Sequence, residues 1–191
     1  MRKIISGAVM AVTALLLVAL TVPSAHAVQR GIQGLEITEV GYNAVGVDHF
    51  KNRNQEYVDI KNVSNEPVNV AGLEVYDQWY ATTGKNRENN KCNVFTLAAD
   101  ADVPGLVKGE NTIELPAKHT LRVYVGAGKP KTFGPGGRWH AVYMNHGATE
   151  ETKGCGYRGH FFNNLGDTVY VKLGDAIEFK RYDFRRGYYV R

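Results

Sequence analysis

Serine is scarce in this chain. Only Ser6, Ser24 and Ser64 occur. Ser64 opens a Ser-Asn-Glu-Pro turn, and no Gly-x-Ser-x-Gly elbow exists, so no serine-hydrolase nucleophile is recognisable. Histidine never occurs as H-x-x-H or H-E-x-x-H, the spacings that place two imidazoles on one metal. His140, His146 and His160 are the only trio with a chance of converging, and they read more simply as solvent-exposed side chains. Paired carboxylates for glycoside hydrolysis are also missing. Alternation puts Glu56 and Asp59 on opposite strand faces, and Asp100, Asp102, Glu150 and Glu151 fall in loops. No loop has the ligand pattern of an EF-hand. No catalytic residue, metal ligand or cofactor is therefore assigned, and the chain reads as a non-enzyme.

Charge is nearly balanced. The full chain carries +4, and loss of Arg2 and Lys3 with a leader reduces this to +2. Such a small excess gives little support to a nucleic-acid partner. After Ala27 no segment keeps a helical period over three turns, and there is no internal repeat or low-complexity stretch.

The first residues form a unit of their own. A short basic end, Met1-Arg2-Lys3, precedes the apolar run Ile4 to Val22 and the small-x-small motif Ala25-His26-Ala27. This is the layout of a cleaved secretory signal peptide over residues 1–27. A membrane anchor is the alternative, since the run is just long enough to span a bilayer. The cleavage motif and the lack of positive charge after the run favour the leader. The mature chain, residues 28–191, is then one domain of ordinary size, secreted and without a membrane span.

The chain has two cysteines, Cys92 and Cys155. In an exported protein such a pair reads as a disulfide. On the chain-entropy model it stabilises by about 4 kcal/mol. A reactive thiol and metal ligation stand beside this as alternatives, although neither Cys has a second Cys or a His at ligand spacing.

What fills the mature chain is short alternating runs broken by turn residues, the signature of an all-β sandwich or barrel. Leu35 to Tyr42 is a strand with a phase change near Glu39, which predicts a bulge. Glu56 to Val63 places Val58 and Ile60 inward, with Tyr57, Asp59 and Lys61 outward. Gly72 sits between Val68/Val70 and Leu73/Val75, where the inward face switches and a crossing is expected. Asp77 to Lys91 reads as an exposed loop, and Ala98 to Glu110 as an insertion. Val94 to Leu97 and Thr112 to Leu115 are short strands. Thr120 to Gly126 places Leu121, Val123 and Val125 inward, with Arg122 and Tyr124 outward. Phe133 to Gly137 is a turn cluster, and His140 to Met144 a strand. The turn Asn163 to Asp167 leads into the central strand Thr168 to Leu173. Gly174-Asp175 then turns the chain into a last strand, Ile177 to Phe184.

Five stretches in this order resemble the lamin tail domain family, in its exported bacterial form. They are Glu39 to Asn43, Glu56 to Asn62, Pro67 to Asp77, Leu121 to Gly128 and Asn163 to Val171. Departures are Leu73 where the family often has Trp after Gly, and the inserted Ala98 to Glu110. The resemblance implies an immunoglobulin-like β-sandwich acting as a binding or architectural module, with no catalytic residues to carry over. It implies a secreted module for binding or adhesion, with an extracellular polysaccharide or protein as partner. The alternatives are a self-associating envelope protein and a secreted hydrolase of unrecognised type.

The clearest binding stripe is C-terminal. Arg181, Tyr182, Arg185, Arg186, Tyr188 and Tyr189 interleave guanidinium groups and aromatic rings, a mixture suited to sugars or anionic polymers. An edge strand with a soluble tail would have the same composition. Trp79 and the pair Arg138-Trp139 are further aromatic candidates, Trp139 being equally suited to the core.

Overall fold

The computed structural model describes residues 31–42, 53–83, 90–146, 155, 161–162, 165–183 and 189–190. The elements, in order, are β1 (Leu35–Gly41), β2 (Tyr57–Asn62), β3 (Val68–Asn69), β4 (Glu74–Tyr76), α1 (Gln78–Thr83), β5 (Val94–Thr96), β6 (Val107–Gly109), β7 (Thr112–Leu115), β8 (Thr120–Tyr124), β9 (Lys131–Phe133), β10 (Trp139–Tyr143), β11 (Gly166–Leu173), β12 (Ala176–Asp183) and β13 (Tyr189–Val190). The protein is mostly β, with one short helix.

The strands form three sheets. One has six strands in the order β13-β1-β2-β8-β10-β9, another four in the order β12-β11-β4-β5, and the third three in the order β3-β7-β6. Every pairing is antiparallel except β8 with β10. That exception follows from the connections. After β8 the chain skips one place along the sheet to make β9. The tight turn at Gly134 to Gly137 then returns β10 into the gap, parallel to β8.

Alternation within the strands brings one face of each sheet to a common core. Val40, Val58, Val123, Val169 and Val171 are fully buried there, with Ile60, Leu121, Val75, Leu73 and Leu115 beside them. Tyr42 and Tyr182 stack within this core at 4.2 Å between ring centres, and the Tyr42 hydroxyl donates to the Asp183 carbonyl at 3.0 Å. Gly72, at φ +75°, takes the chain from the three-stranded to the four-stranded sheet. This is the crossing expected at that residue. A β1 bulge is present, between Ile37 and Glu39, just before the phase change expected at Glu39 or Val40. β11 pairs with β12 on one side and β4 on the other.

Several expectations are corrected. The segment expected as a loop from Asp77 to Lys91 contains α1, started by Asp77, whose carboxylate accepts the Tyr80 N–H at 2.8 Å. The expected insertion contributes β6 to a hairpin with β7. The turn cluster at Phe133 contains the end of edge strand β9. β12 is followed by a further strand, β13, which pairs with β1. His140 and His146 are buried, at 1% and 4% exposure; the His140 ring bonds to His119 and to the Pro104 carbonyl, whereas His146 Nδ1 has no hydrogen-bond partner among the described residues. His160 and the leader, residues 1–27, lie outside the described residues.

Cys92 and Cys155 form a disulfide. A second anchor for this region is Glu56, fully buried, which accepts the Phe161 N–H at 3.0 Å. Arg53, also buried, donates to the His146 carbonyl at 2.8 Å.

Candidate functional site

The outer face of the six-stranded sheet gathers residues that lie far apart in the chain. Strand register arranges them in three rows. The first is Tyr57, Tyr124 and Tyr143, on β2, β8 and β10. The second runs Glu39, Asp59, Arg122, Ala141 and Lys131 from β1 to β9. The third is Lys61, Thr120, Trp139 and Phe133.

Arg122 ties these rows together. Its Nε and Nη2 donate to the two Asp59 carboxylate oxygens, each at 2.6 Å, the bidentate fork that arginine geometry favours. Its guanidinium lies 3.7 Å from the centre of the Tyr57 ring and 4.8 Å from that of Trp139, within range of cation–π attraction. Phe133 and Tyr124 complete the surround at 5.8 and 5.7 Å. Burial raises the Asp59 carboxyl while Arg122 opposes the rise. Burial works against the Arg122 charge too, but its bonds to Asp59 prevail and hold it above its ordinary value.

The rings support one another. Tyr124 and Tyr143 stack at 5.2 Å, Tyr57 meets Tyr124 edge-on at 5.9 Å, and Phe133 tilts against Trp139 at 5.6 Å. Tyr57 lies over Gly41, where an added Cβ would come within 2.5 Å of the ring, and its hydroxyl donates to Glu39. Desolvation and that bond both raise the Tyr57 hydroxyl. All five rings are half-buried, so each keeps part of its surface in solvent.

Beside the third row is a cleft of about 490 Å³. Trp139 forms one wall, Lys61, Lys118 and Arg138 contribute charge, and Thr120 and Pro135 complete the lining. Lys118 Nζ donates to the Val63 carbonyl at 2.6 Å. The Lys61 and Arg138 side chains form no ion pair with any described residue. Below the cleft, His140 donates from Nδ1 to the Pro104 carbonyl at 3.0 Å, so its Nε2 accepts from His119 Nδ1 at 2.9 Å. Desolvation lowers both imidazoles.

Among the described residues this arrangement brings together half-buried aromatic rings, the Arg122–Asp59 pair and the Lys61, Lys118 and Arg138 cations.

No family model and no curated protein matches this chain.

The residues proposed from sequence are dispersed. Arg181 is exposed on β12, opposite Thr168 on β11. Tyr182 is 3% exposed and points into the core, where it stacks on Tyr42, so its ring presents nothing to a surface ligand. Arg185, Arg186 and Tyr188 lie outside the described residues. The Tyr189 backbone is in β13, opposite Gly41, while its side chain is outside them. Trp79 is 53% exposed on α1, the helix that follows β4. Arg138 and Trp139, named from sequence, do meet at the cleft. Alternation had turned Tyr57, Asp59, Lys61, Arg122 and Tyr124 outward. It could not show that β10 would lie alongside β8 and join Tyr143 and Trp139 to them.

Proposed function

We propose that this chain is a secreted, non-catalytic binding module, an immunoglobulin-like sandwich of lamin-tail type. In this reading the outer face of the six-stranded sheet holds an extracellular polysaccharide. The row Tyr57, Tyr124 and Tyr143, with Trp139 nearby, carries the reading. Aromatic rings held at strand spacing on a solvated sheet face give large contact area with little conformational entropy left to lose. The Cys92–Cys155 disulfide fits an oxidising compartment and so agrees with export. The lamin-tail assignment itself rests on the sequence stretches quoted above.

The test is retention of the mature protein, residues 28–191, on insoluble cell-wall and plant-type polysaccharides. At least one should retain it, and Trp139→Ala and Tyr124→Ala should each weaken retention about tenfold. Lys108→Ala, on β6 of the three-stranded sheet, should change nothing. Equal retention of all three variants would remove the face from consideration.

Self-association is a second reading, favoured by one observation. β12 is an edge of the four-stranded sheet, and its Phe179 is 48% exposed, an arrangement that invites edge-to-edge pairing. It predicts a sedimentation coefficient that rises with concentration and that Phe179→Lys makes constant.

A further inference from the structure

The cleft beside Trp139 gathers three cations within one lining. Several cations elsewhere on the sheets are held by partners. Arg122 has Asp59, Lys172 has Glu74 at 3.4 Å, and Lys180 donates to the Ile37 carbonyl at 3.0 Å. In the cleft, Lys61 and Arg138 have no such partner among the described residues, and no carboxylate is in the lining. Lys118 spends one of its N–H groups on Val63 and retains two more. The three arrive from different directions. Lys61 and Thr120 are opposite each other in the β2–β8 register. The Arg138 carbonyl accepts the Thr120 N–H at 2.9 Å, which seats Arg138 at the head of β10. Glu36 is opposite Lys61 in the β1–β2 register but forms no ion pair with it and is not in the lining; three cations gathered in a lining with no carboxylate of its own raise the local potential and favour an anion.

The wall is prepared as well. Trp139 is held by Phe133 on one side and Arg122 on another. Gly134, at φ +72°, approaches so closely that an added Cβ would be 2.6 Å from the indole. A ring fixed in place before binding loses little freedom when a ligand stacks on it. A cleft of about 490 Å³ has the size of a small-molecule site.

We propose that this cleft holds one acidic residue of a polysaccharide chain, with its carboxylate or sulfate between Lys61 and Arg138 and its sugar ring against Trp139. The assignment rests on the reading of the outer face as a polysaccharide-binding surface. Arg138 supplies a planar fork matched to a carboxylate or sulfate. Lys61 and Lys118 add point charge, and Trp139 supplies the apolar platform. The +2 balance of the chain without its leader favours a local acidic sugar over a long nucleic-acid track.

Trp79→Phe leaves Trp139 as the sole tryptophan and makes its emission a direct reporter. This protein is titrated with a sulfated heparin hexasaccharide, a hexagalacturonate, the uncharged cellohexaose and a DNA hexamer. At least one acidic saccharide should give a saturable change in emission that weakens as salt is raised from 50 to 500 mM. Which of the two binds more tightly distinguishes sulfate from carboxylate as the source of charge. Lys61→Ala and Arg138→Ala should each weaken that binding about tenfold. Cellohexaose binding as tightly as the acidic saccharides, or acidic binding unchanged in both variants, overturns the assignment but leaves the outer face as a binding surface. DNA binding more tightly than either acidic saccharide overturns the ligand class. A flat titration with every probe overturns the cleft assignment alone if the mature protein is still retained on polysaccharide through Tyr124 and Trp139, and overturns both readings if retention is absent too.

Discussion

Arg122 is the residue whose loss the outer face tolerates least. Asp59 beneath it has a side chain only 1% exposed. Without Arg122 that carboxylate would be buried with no counter-charge, which typically costs about 3–5 kcal/mol. Urea unfolding of Arg122→Ala should show a loss of this size, and Arg122→Ala with Asp59→Ala should recover most of it. A loss below about 1 kcal/mol in the single variant would mean that the pair is not coupled as its geometry requires. Half of this arrangement is readable in the sequence. Period-two alternation turns Asp59 and Arg122 away from the core. It does not reveal that they are direct cross-strand neighbours, because register depends on pairing. For the same reason the alternation that turns Asp59 outward does not show that its side chain is buried against Arg122. Tyr182 illustrates the converse. Among Arg and Tyr neighbours it looks like part of a surface stripe, but its strand phase puts it inside.

At the scale of elements, strand existence follows from alternation wherever four or more residues keep it, as in β1, β2, β7, β8, β11 and β12. The elements missed are those too short to show a period. β6 and β9 have three residues each, β13 has two and α1 has six. A six-residue helix is not stable through propensity alone; α1 depends on its cap. Asp77 accepts the Tyr80 N–H, receives a bond from the Asn93 side chain and is 3% exposed. Asp77→Ala should therefore cost about 1–2 kcal/mol. The loss should be accompanied by faster amide exchange in α1, while the β8–β10 amides keep their protection. Unchanged exchange in α1 would show that the helix is held by its packing on β11 instead. A capping Asp followed by Gln-Trp-Tyr-Ala was visible in the sequence, but the Gly and Asn residues that follow it favoured a loop.

The behaviour of the whole molecule in acid follows from its buried imidazoles. His146 is 4% exposed, and desolvation, with Arg53 nearby, pushes it down to about 4 from 6.5. Between those values the unfolded chain binds more protons at this site than the folded one. The stability that neutral His146 contributes is thus complete above pH 6.5 and is lost as pH falls towards 4, by up to about 3 kcal/mol. His119 and His140 are lowered too and act in the same sense. Asp77 acts in the opposite sense. Burial raises it to about 6, so its folded form binds the extra proton and gains stability as pH falls from 6 towards 3.8. Thermal midpoints measured from pH 7 to pH 4 for the parent and His146→Gln should converge as the pH drops, because the variant lacks one acid-labile term. Parallel curves would show that the His146 imidazole titrates alike in the folded and unfolded chain.

The disulfide joins positions 63 residues apart. All of β5 to β10 lies between them, including the strands that present Arg122, Tyr124, Trp139 and Tyr143. When the ends of the chain are pulled apart, tension passes from Cys92 to Cys155 through the sulfur bridge and bypasses the backbone between them. The strands that present Arg122, Tyr124, Trp139 and Tyr143 then lie in a covalent loop spared tension applied at the chain ends, while β1 and β2 lie on the loaded path.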